Sequence, residues 1–467
     1  MVRTDRVPYI SKLELRARDR GRQALPLIAA VLCALGQSLV TPARAQDFVP
    51  DEVLVKARVS VAYQEALQVH ALNGCVSTAR IEQSGVERLK ISNGQPVEAM
   101  VALYSADARF EYAEPNYIGQ GGAFTPDDTN FDLQWHLQNS GTAGTATVGA
   151  DIGAVEAWEI SRGSAAIRVA ILDTGIDSDH PEFAGRIEPG FDFVNGDADP
   201  EDDHSHGTWV TGLLAANADN AFGVAGVDHF VKIVPVKILS SLNLGTSFAL
   251  AQGLEFAKDR AEVISMSLVR FPVESVVIKD ALQSARDAGA ILISCAGNEG
   301  IGAADLWLPS ASPLTISVGA TLWDDTRASF SGTGAALDLV APGLAVETVI
   351  YNSGEDSSST FNGCSASTPI VAGAATLLLS QDPSLTHDEI AVLLTTTADD
   401  QVGDPAEDTP GRDDFMGHGR LNIQSALAAL SATSGLPAVS TGGGTLAAGL
   451  LLALGTLAAL RPARRRR

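Results

Sequence analysis

The sequence predicts an α/β domain, a mostly parallel sheet with helices on both faces, preceded by a small α+β domain of ferredoxin-like order. Three observations predict it. Residues 167–172 (IRVAIL) form a continuous apolar run, the pattern of a strand buried on both faces of a parallel sheet. Residues 263–268 (VISMSL) and 290–294 (AILIS) repeat that pattern, and helical periods follow at 209–216 and 370–380. Residues 48–118 instead alternate short strands and helices.

Composition bounds the rest. The 467 residues are 45% hydrophobic, enough for at least one sizeable core and two folded units with tails. That content excludes a wholly disordered chain, and the lack of any repeat excludes a collagen or coiled-coil rod. A formal charge of −24 leaves no basic face to meet phosphate, so no nucleic-acid partner is expected. The basic residues gather at the ends. Residues 1–45 hold eight basic and three acidic side chains and 461–467 five arginines, so the remainder carries −34. A body this acidic suits calcium or a salty medium.

Both ends read as addresses. Residues 24–40 are apolar and uncharged behind a basic start, and Ala43-Arg44-Ala45 offers the small residues a signal peptidase accepts. The expected signal peptide is 1–45, with Gln46 the new N-terminus. A retained anchor is the alternative, and the shortness of the run favours cleavage and export. At the other end 431–444 reads as a polar, glycine-broken linker. Residues 445–460 are an uncharged Leu- and Ala-rich segment before the terminal arginines. As a helix it reaches about 24 Å against a ~30 Å hydrocarbon core, and the arginines would hold its end cytoplasmic. The arrangement of 445–467 resembles bacterial C-terminal sorting tails, with a plain anchor as the alternative. Membrane contact through this tail is expected, and the body faces outside.

In the N-terminal unit, 46–118, strands are expected at 52–57, 76–83, 86–92 and 109–113 and helices at 62–72 and 96–105. The β-α-β-β-α-β order is ferredoxin-like. No constellation of catalytic residues lies within it, which suits a folding aid or inhibitor of the larger domain.

The chemistry sits on separate motifs downstream. The strand at 167–172 ends in Asp173-Thr174-Gly175, at the edge where open α/β sheets place ligands. Alone, Asp before Thr-Gly is more often a turn-former. His206-Gly207-Thr208 opens a helical pattern, so the ring can face a cleft while Gly207 permits close approach; His204 is a nearby competitor. Ser365 lies in Gly363-Cys364-Ser365-Ala366-Ser367-Thr368-Pro369, before a small-residue helix. A serine there is ordinarily an N-cap, but the helix dipole and free N–H groups also stabilise negative charge on an attacked carbonyl. Ser367 is the rival hydroxyl. The strand at 290–294 leads to Asn298, whose amide can donate to an oxyanion or simply form a turn.

Each signal is weak alone, but the chain order Asp, His, Ser with a late Asn donor is that of subtilisin. The sequence resembles the subtilase family of serine endopeptidases over about 134–430. The motifs are QWHLQNSG, AVEAW, ILDTGID, HSHGT, CAGN, FSGTG, LVAPG, GCSASTP and GHGRLN. The resemblance implies a subtilisin-like peptidase domain at 119–430 that hydrolyses peptide bonds through an acyl-enzyme. Ser365 is then the nucleophile, His206 the general base, Asp173 its orienting carboxylate and Asn298 an oxyanion donor. Residues 263–268, with Ser267 and Leu268, correspond to the edge that pairs with an extended polypeptide substrate. The N-terminal unit corresponds to the family's propeptide, an intramolecular inhibitor, and 111–117 (EYAEPNY) to its closing segment, with self-cleavage expected between 118 and 127.

The acidic stretch 192–203 is by composition a solvated loop. In thermitase-like relatives it binds calcium, which implies structural Ca²⁺ at Asp192, Asp197, Asp199 and Glu201, and a second, weaker site at Asp128, Glu182 and Asn220. The chain departs from the family twice. Cys364 replaces the usual Thr before the nucleophile, and Val269-Arg270 replace the glycines after Ser-Leu, so side chains line one wall of the cleft. Cys295 and Cys364, in neighbouring motifs, are expected to pack, with a thiol pair or a disulfide as the alternatives. A monomeric, exported endopeptidase is the expected whole. The alternatives are a maturation protease dedicated to one partner and an inert binding protein on the same scaffold.

Overall fold

The structure, a computed structural model, describes residues 48–117, 124–142 and 146–433. The expected signal, the segment 118–123 after the closing strand, and residues 434–467 lie outside them; the linker expected from 431 begins later, because the last helix runs through 433. The chain divides into two compact units, 1–119 and 120–467.

In the first unit β1 (Phe48–Ala57), α1 (Tyr63–Leu72), β2 (Cys75–Ile81), β3 (Val86–Ile91), α2 (Val97–Ser105) and β4 (Phe110–Tyr117) occur in the expected order. The sheet order is β2-β3-β1-β4, antiparallel throughout. Period-2 alternation drives it: Val53 and Val55 of β1 and Leu89 and Ile91 of β3 point inward and meet Val69 of α1 and Met100 and Tyr104 of α2. β4 runs four residues past its expected end at 113, so the EPNY segment belongs to the sheet. Pro115 is tolerated there because β4 is an edge strand.

The second unit is built on α3 (Ala154–Trp158), β5 (Arg168–Asp173), β6 (Phe191–Asp192), α4 (His206–Ala215), β7 (Lys232–Lys237), α5 (Ser247–Ala257) and β8 (Val263–Met266). It continues through β9 (Phe271–Pro272), α6 (Val276–Asp287), β10 (Ile291–Cys295), β11 (Trp307–Leu308), β12 (Ile316–Thr321) and β13 (Leu339–Pro342). After β14 (Val346–Thr348) and β15 (Ser359–Phe361) come α7 (Cys364–Gln381), α8 (His387–Thr396) and α9 (Ile423–Thr433). The main sheet has the order β13-β12-β10-β8-β5-β7-β6, and its strand pairs are parallel.

The unbroken apolar runs have a simple cause. Val169 and Ile171 of β5 enter one core, shared with α4 and α7, while Ala170 and Leu172 enter a second core, shared with α5 and α6. A strand covered on both faces has no polar side to show. The same fact corrects one expectation. β8 pairs with β10 on one side and β5 on the other, so 263–266 is interior strand. Ser267 and Leu268, both buried, lie past its end and are all that remains of the expected pairing edge. Periodicity alone cannot separate these cases, because interior and edge strands share one apolar signature.

Candidate active site

β5 is laid down first and sits mid-sheet; later strands add on one side as β7 and β6 and on the other as β8, β10, β12 and β13. The order therefore reverses at β5, and a crevice opens beyond the carboxyl ends of β5 and β8. Asp173 is the last residue of β5 and is fully buried. Its Oδ1 accepts from the Thr174 amide at 2.7 Å and meets His206 Nδ1 at 2.7 Å.

His206 is the first residue of α4. The helix can start there only because Gly207 has no side chain: a Cβ would overlap the Gly175 carbonyl oxygen. Burial favours the neutral ring, but the Asp173 carboxylate and its hydrogen bond outweigh burial and hold the imidazole above its ordinary pKa. The Phe361 ring stands edge-on to it, with centroids 5.4 Å apart.

Asp202 was hidden from sequence reasoning inside the acidic stretch, yet it fastens the two segments together. One oxygen accepts from Thr174 Oγ1 (2.8 Å) and the amides of His204 (2.9 Å) and Ser205 (3.0 Å); the other accepts from Thr208 N (3.0 Å) and Oγ1 (2.6 Å). Burial raises its pKa, and these bonds more than reverse that, leaving it below the usual carboxylate range. The usable signal was spacing: an acid four residues before His-Gly-Thr.

Ser365 stands in the first turn of α7, which begins at Cys364, six residues before the expected start at 370. Pro369 does not break the helix. Its missing N–H would have bonded the Ser365 carbonyl, and that oxygen accepts instead from Ser267 Oγ at 3.0 Å. Ser365 Oγ in turn donates to the Ser267 carbonyl at 3.4 Å. Asn298 Oδ1 accepts from the Cys364 amide at 2.9 Å, which commits the amide oxygen and leaves Nδ2 as the donor beside Ser365. Bonds thus join Asp173 to His206, Ser267 to Ser365 and Asn298 to the residue before Ser365, and β5 and β8, whose ends lead to Asp173 and to Ser267-Leu268, are neighbours in the sheet. The His204 ring stands 6.4 Å from that of His206, but it is His206 that meets Asp173; Ser367 Oγ is bound to the carbonyls of Ala341 and Pro342.

Cys295 and Cys364 do more than pack. They form a disulfide, with Cα atoms 5.3 Å apart, joining the end of β10 to the residue before Ser365. This separation lies within the usual range for a bridge.

The two calcium sets fare differently. In the acidic loop, Asp192 spends its carboxylate on Val194 N, Asn195 N and Asn195 Nδ2, and Glu201 binds Ser178. Among the described residues no three His, Cys, Asp or Glu side chains converge as a metal would require. As arranged, Asp192, Asp197, Asp199 and Glu201 do not form a cation cage. Asp128, Glu182 and Asn220 do not converge as a cage either, but they leave one buried oxygen unpaired. Asp128 Oδ1 is buried without a partner, and Asn220 Nδ2 lies 3.1 Å from Glu182 Oε2. Burial raises Asp128 to about 6 and Glu182 to about 8, only partly offset by the Arg186 charge near Glu182 and by the Asp219 and Val224 amides that donate to the two carboxylates.

The family model described as the subtilase family matches residues 164–419. The one described as the fervidolysin N-terminal prodomain matches 36–116. The chain is 32% identical to a thermophilic serine proteinase of Bacillus sp. (strain AK1) over 81% of this chain and 88% of that one. It is 34% identical to thermitase of Thermoactinomyces vulgaris over 59% of this chain and 93% of that one. A solved structure titled as proteases from Pseudoalteromonas arctica PAMC 21717 superposes with a TM-score of 0.58 at 27% identity, covering 66% of this chain and all of that one. A buried Asp–His pair at the end of a central parallel strand and a serine in the first turn of a helix, in a domain that follows an α+β unit in the sequence, agree with these matches, and the chain belongs to the subtilase family of serine proteinases, hydrolases acting on peptide bonds.

Proposed function

We propose that the chain is an exported, calcium-supported serine endopeptidase made as a zymogen, with Asp173, His206 and Ser365 as its triad. The observation that carries this reading is the 2.7 Å Asp173–His206 pair on the sheet edge that also receives Ser365 and Asn298. His206 Nε2 takes the Ser365 Oγ proton as that oxygen attacks the scissile carbonyl, then returns it to the leaving amine. Asp173 fixes the ring through Nδ1 and stabilises the imidazolium. Asn298 Nδ2 and the unpaired N–H of Ser365 at the head of α7 receive the oxyanion. One such side-chain donor is worth about 3–4 kcal/mol, a figure that comes from subtilisin itself. Ser267 and Leu268 present backbone to an extended substrate.

Residues 46–118 act as the intramolecular inhibitor, 1–45 direct export, and 434–467 serve as linker and sorting or anchor segment. Among the described residues no helix is long and apolar enough to cross a membrane. Asp128, Glu182 and Asn220 would hold the calcium ion, which would neutralise two buried acids and fasten the 219–223 loop.

The test is labelling of the secreted protein with a fluorophosphonate probe, beside Ser365→Ala, with and without a chelator. Labelling lost in the variant supports Ser365 as the activated nucleophile. A folded, processed wild type that does not label would refute the peptidase reading in favour of an inert scaffold. A wild type that labels but cuts no unrelated denatured protein would be a maturation protease with one partner.

A further inference from the structure

The wall beyond Ser267 carries a residue that the backbone disfavours. Arg270 has φ 70°, the left-handed region where a glycine sits freely and a side chain does not. Strain of this kind persists only where surrounding structure holds it, and it gathers at functional sites. Here the holders are visible. Leu268 and Phe271 on either side are buried, and β9, starting at Phe271, pairs with β11.

The side chain is braced as well. Arg270 Nε donates to Glu299 Oε1 at 2.7 Å, while Glu299 Oε2 accepts from the Asn298 amide at 3.0 Å. Both partners touch the reacting centre at one remove. Arg270 lies three residues beyond Ser267, which exchanges two contacts with Ser365, and Glu299 is next to Asn298, which holds the Cys364 amide. Glu299 has both oxygens engaged and is only 29% exposed. The Arg270 side chain is 71% exposed, and its two terminal nitrogens have no partner among the described residues. One edge of the guanidinium is therefore fixed, and the other presents a planar pair of donors, the geometry that takes a carboxylate in two parallel hydrogen bonds.

We propose that Arg270, braced by Glu299, is a specificity residue that favours substrates with an Asp or Glu side chain beside the scissile bond. This rests on the peptidase reading above. A basic side chain at the same position meets a like charge on the guanidinium and finds Glu299 already occupied.

The test uses the full secreted protein and neutral peptides in which one Glu, or its uncharged isostere Gln, is walked position by position along the chain. At one position near the cut, kcat/KM for Glu should exceed that for Gln by about fivefold, the size expected of an exposed charge-assisted contact. The ratio should fall toward one at high salt. In Arg270→Gly, whose backbone suits φ 70°, and in Arg270→Gln the ratio should be one or below. If the wild type labels with the fluorophosphonate probe but shows no Glu preference at any position, the proposal is overturned while the peptidase reading stands. A preference that survives in both variants overturns it too. An unlabelled wild type removes the peptidase reading and this proposal together. Loss of thermal stability in Arg270→Gly with an unchanged ratio would make the ion pair merely structural.

Discussion

Replacing Asp202 with Asn isolates the buried carboxylate that fastens the triad-bearing segments. The amide oxygen keeps the bonds from Thr174 Oγ1 and the His204 and Ser205 amides, but an NH2 now replaces the oxygen that accepted from Thr208 N and Oγ1. The Thr208 hydroxyl can rotate to accept, whereas its N–H then faces another donor. Two charge-assisted bonds at about 1.5–3 kcal/mol each are lost and one neutral bond of about 1 kcal/mol is regained, with one N–H left buried. The net loss is about 3 kcal/mol, and at roughly 2–4 °C per kcal/mol the Tm falls by about 6–12 °C. Scanning calorimetry in a Ser365→Ala background, which removes self-digestion, reads this directly. The pH dependence supplies a second, independent signature. The folded pKa of Asp202 is depressed, so its stabilisation is complete above the unfolded value of about 3.9 and is lost as pH falls through the folded value. The variant should therefore show a flatter acid limb below about pH 4. A Tm within about 2 °C of the parent, with an unchanged acid limb, would refute the account of Asp202 as the fastener.

The site supports three further expected outcomes. The His206 imidazole is held above its ordinary pKa and must be neutral to accept a proton, so fluorophosphonate labelling should rise with pH through a midpoint above about 6.5. A midpoint below that value would contradict the Asp173 effect. Chelation should lower the Tm, and Asp128→Asn combined with Glu182→Gln should abolish the chelator response; an undiminished response in that double variant would place the cation elsewhere. Alkylation of the unfolded, unreduced protein should leave Cys295 and Cys364 unmodified, while Cys75, free in the first unit, reacts. Because the bridge spans 69 residues, Cys295→Ala with Cys364→Thr should cost up to about 4 kcal/mol by loop closure, read from denaturant midpoints; labelling of both thiols without reductant would show that they only pack.

What the sequence made legible was local. Asp173 ends an apolar run, His206 opens a helical period behind a glycine, and Ser365 precedes a small-residue helix, so each was readable from its neighbours. What escaped depends on groups distant in sequence or on competition between local rules. Asp202 looked like one more surface acid because its donors come from Thr174 and Thr208, which composition does not connect. Pro369 suggested that α7 starts after it, since a proline ordinarily removes a helical bond; the Ser267 hydroxyl that supplies the substitute is almost a hundred residues away. The cation ranking also moved. The family resemblance, not composition, pointed to the 192–203 loop, but Asp192 is consumed by its own loop amides, while Asp128 keeps one buried oxygen without a partner.

The amide hydrogen that Pro369 lacks has a mechanical consequence. Because the Ser365 carbonyl rests on the Ser267 hydroxyl, the nucleophile is tethered to the strand end that would grip a peptide. A peptide that draws Ser267 outward also pulls on Ser365, so occupancy of the cleft and placement of the attacking oxygen are linked through the two contacts between these serines. Pro369→Ala would return that carbonyl to its own helix and leave only the longer contact from Ser365 Oγ to the Ser267 carbonyl, giving a serine still in place but more loosely coupled to what lies across from it.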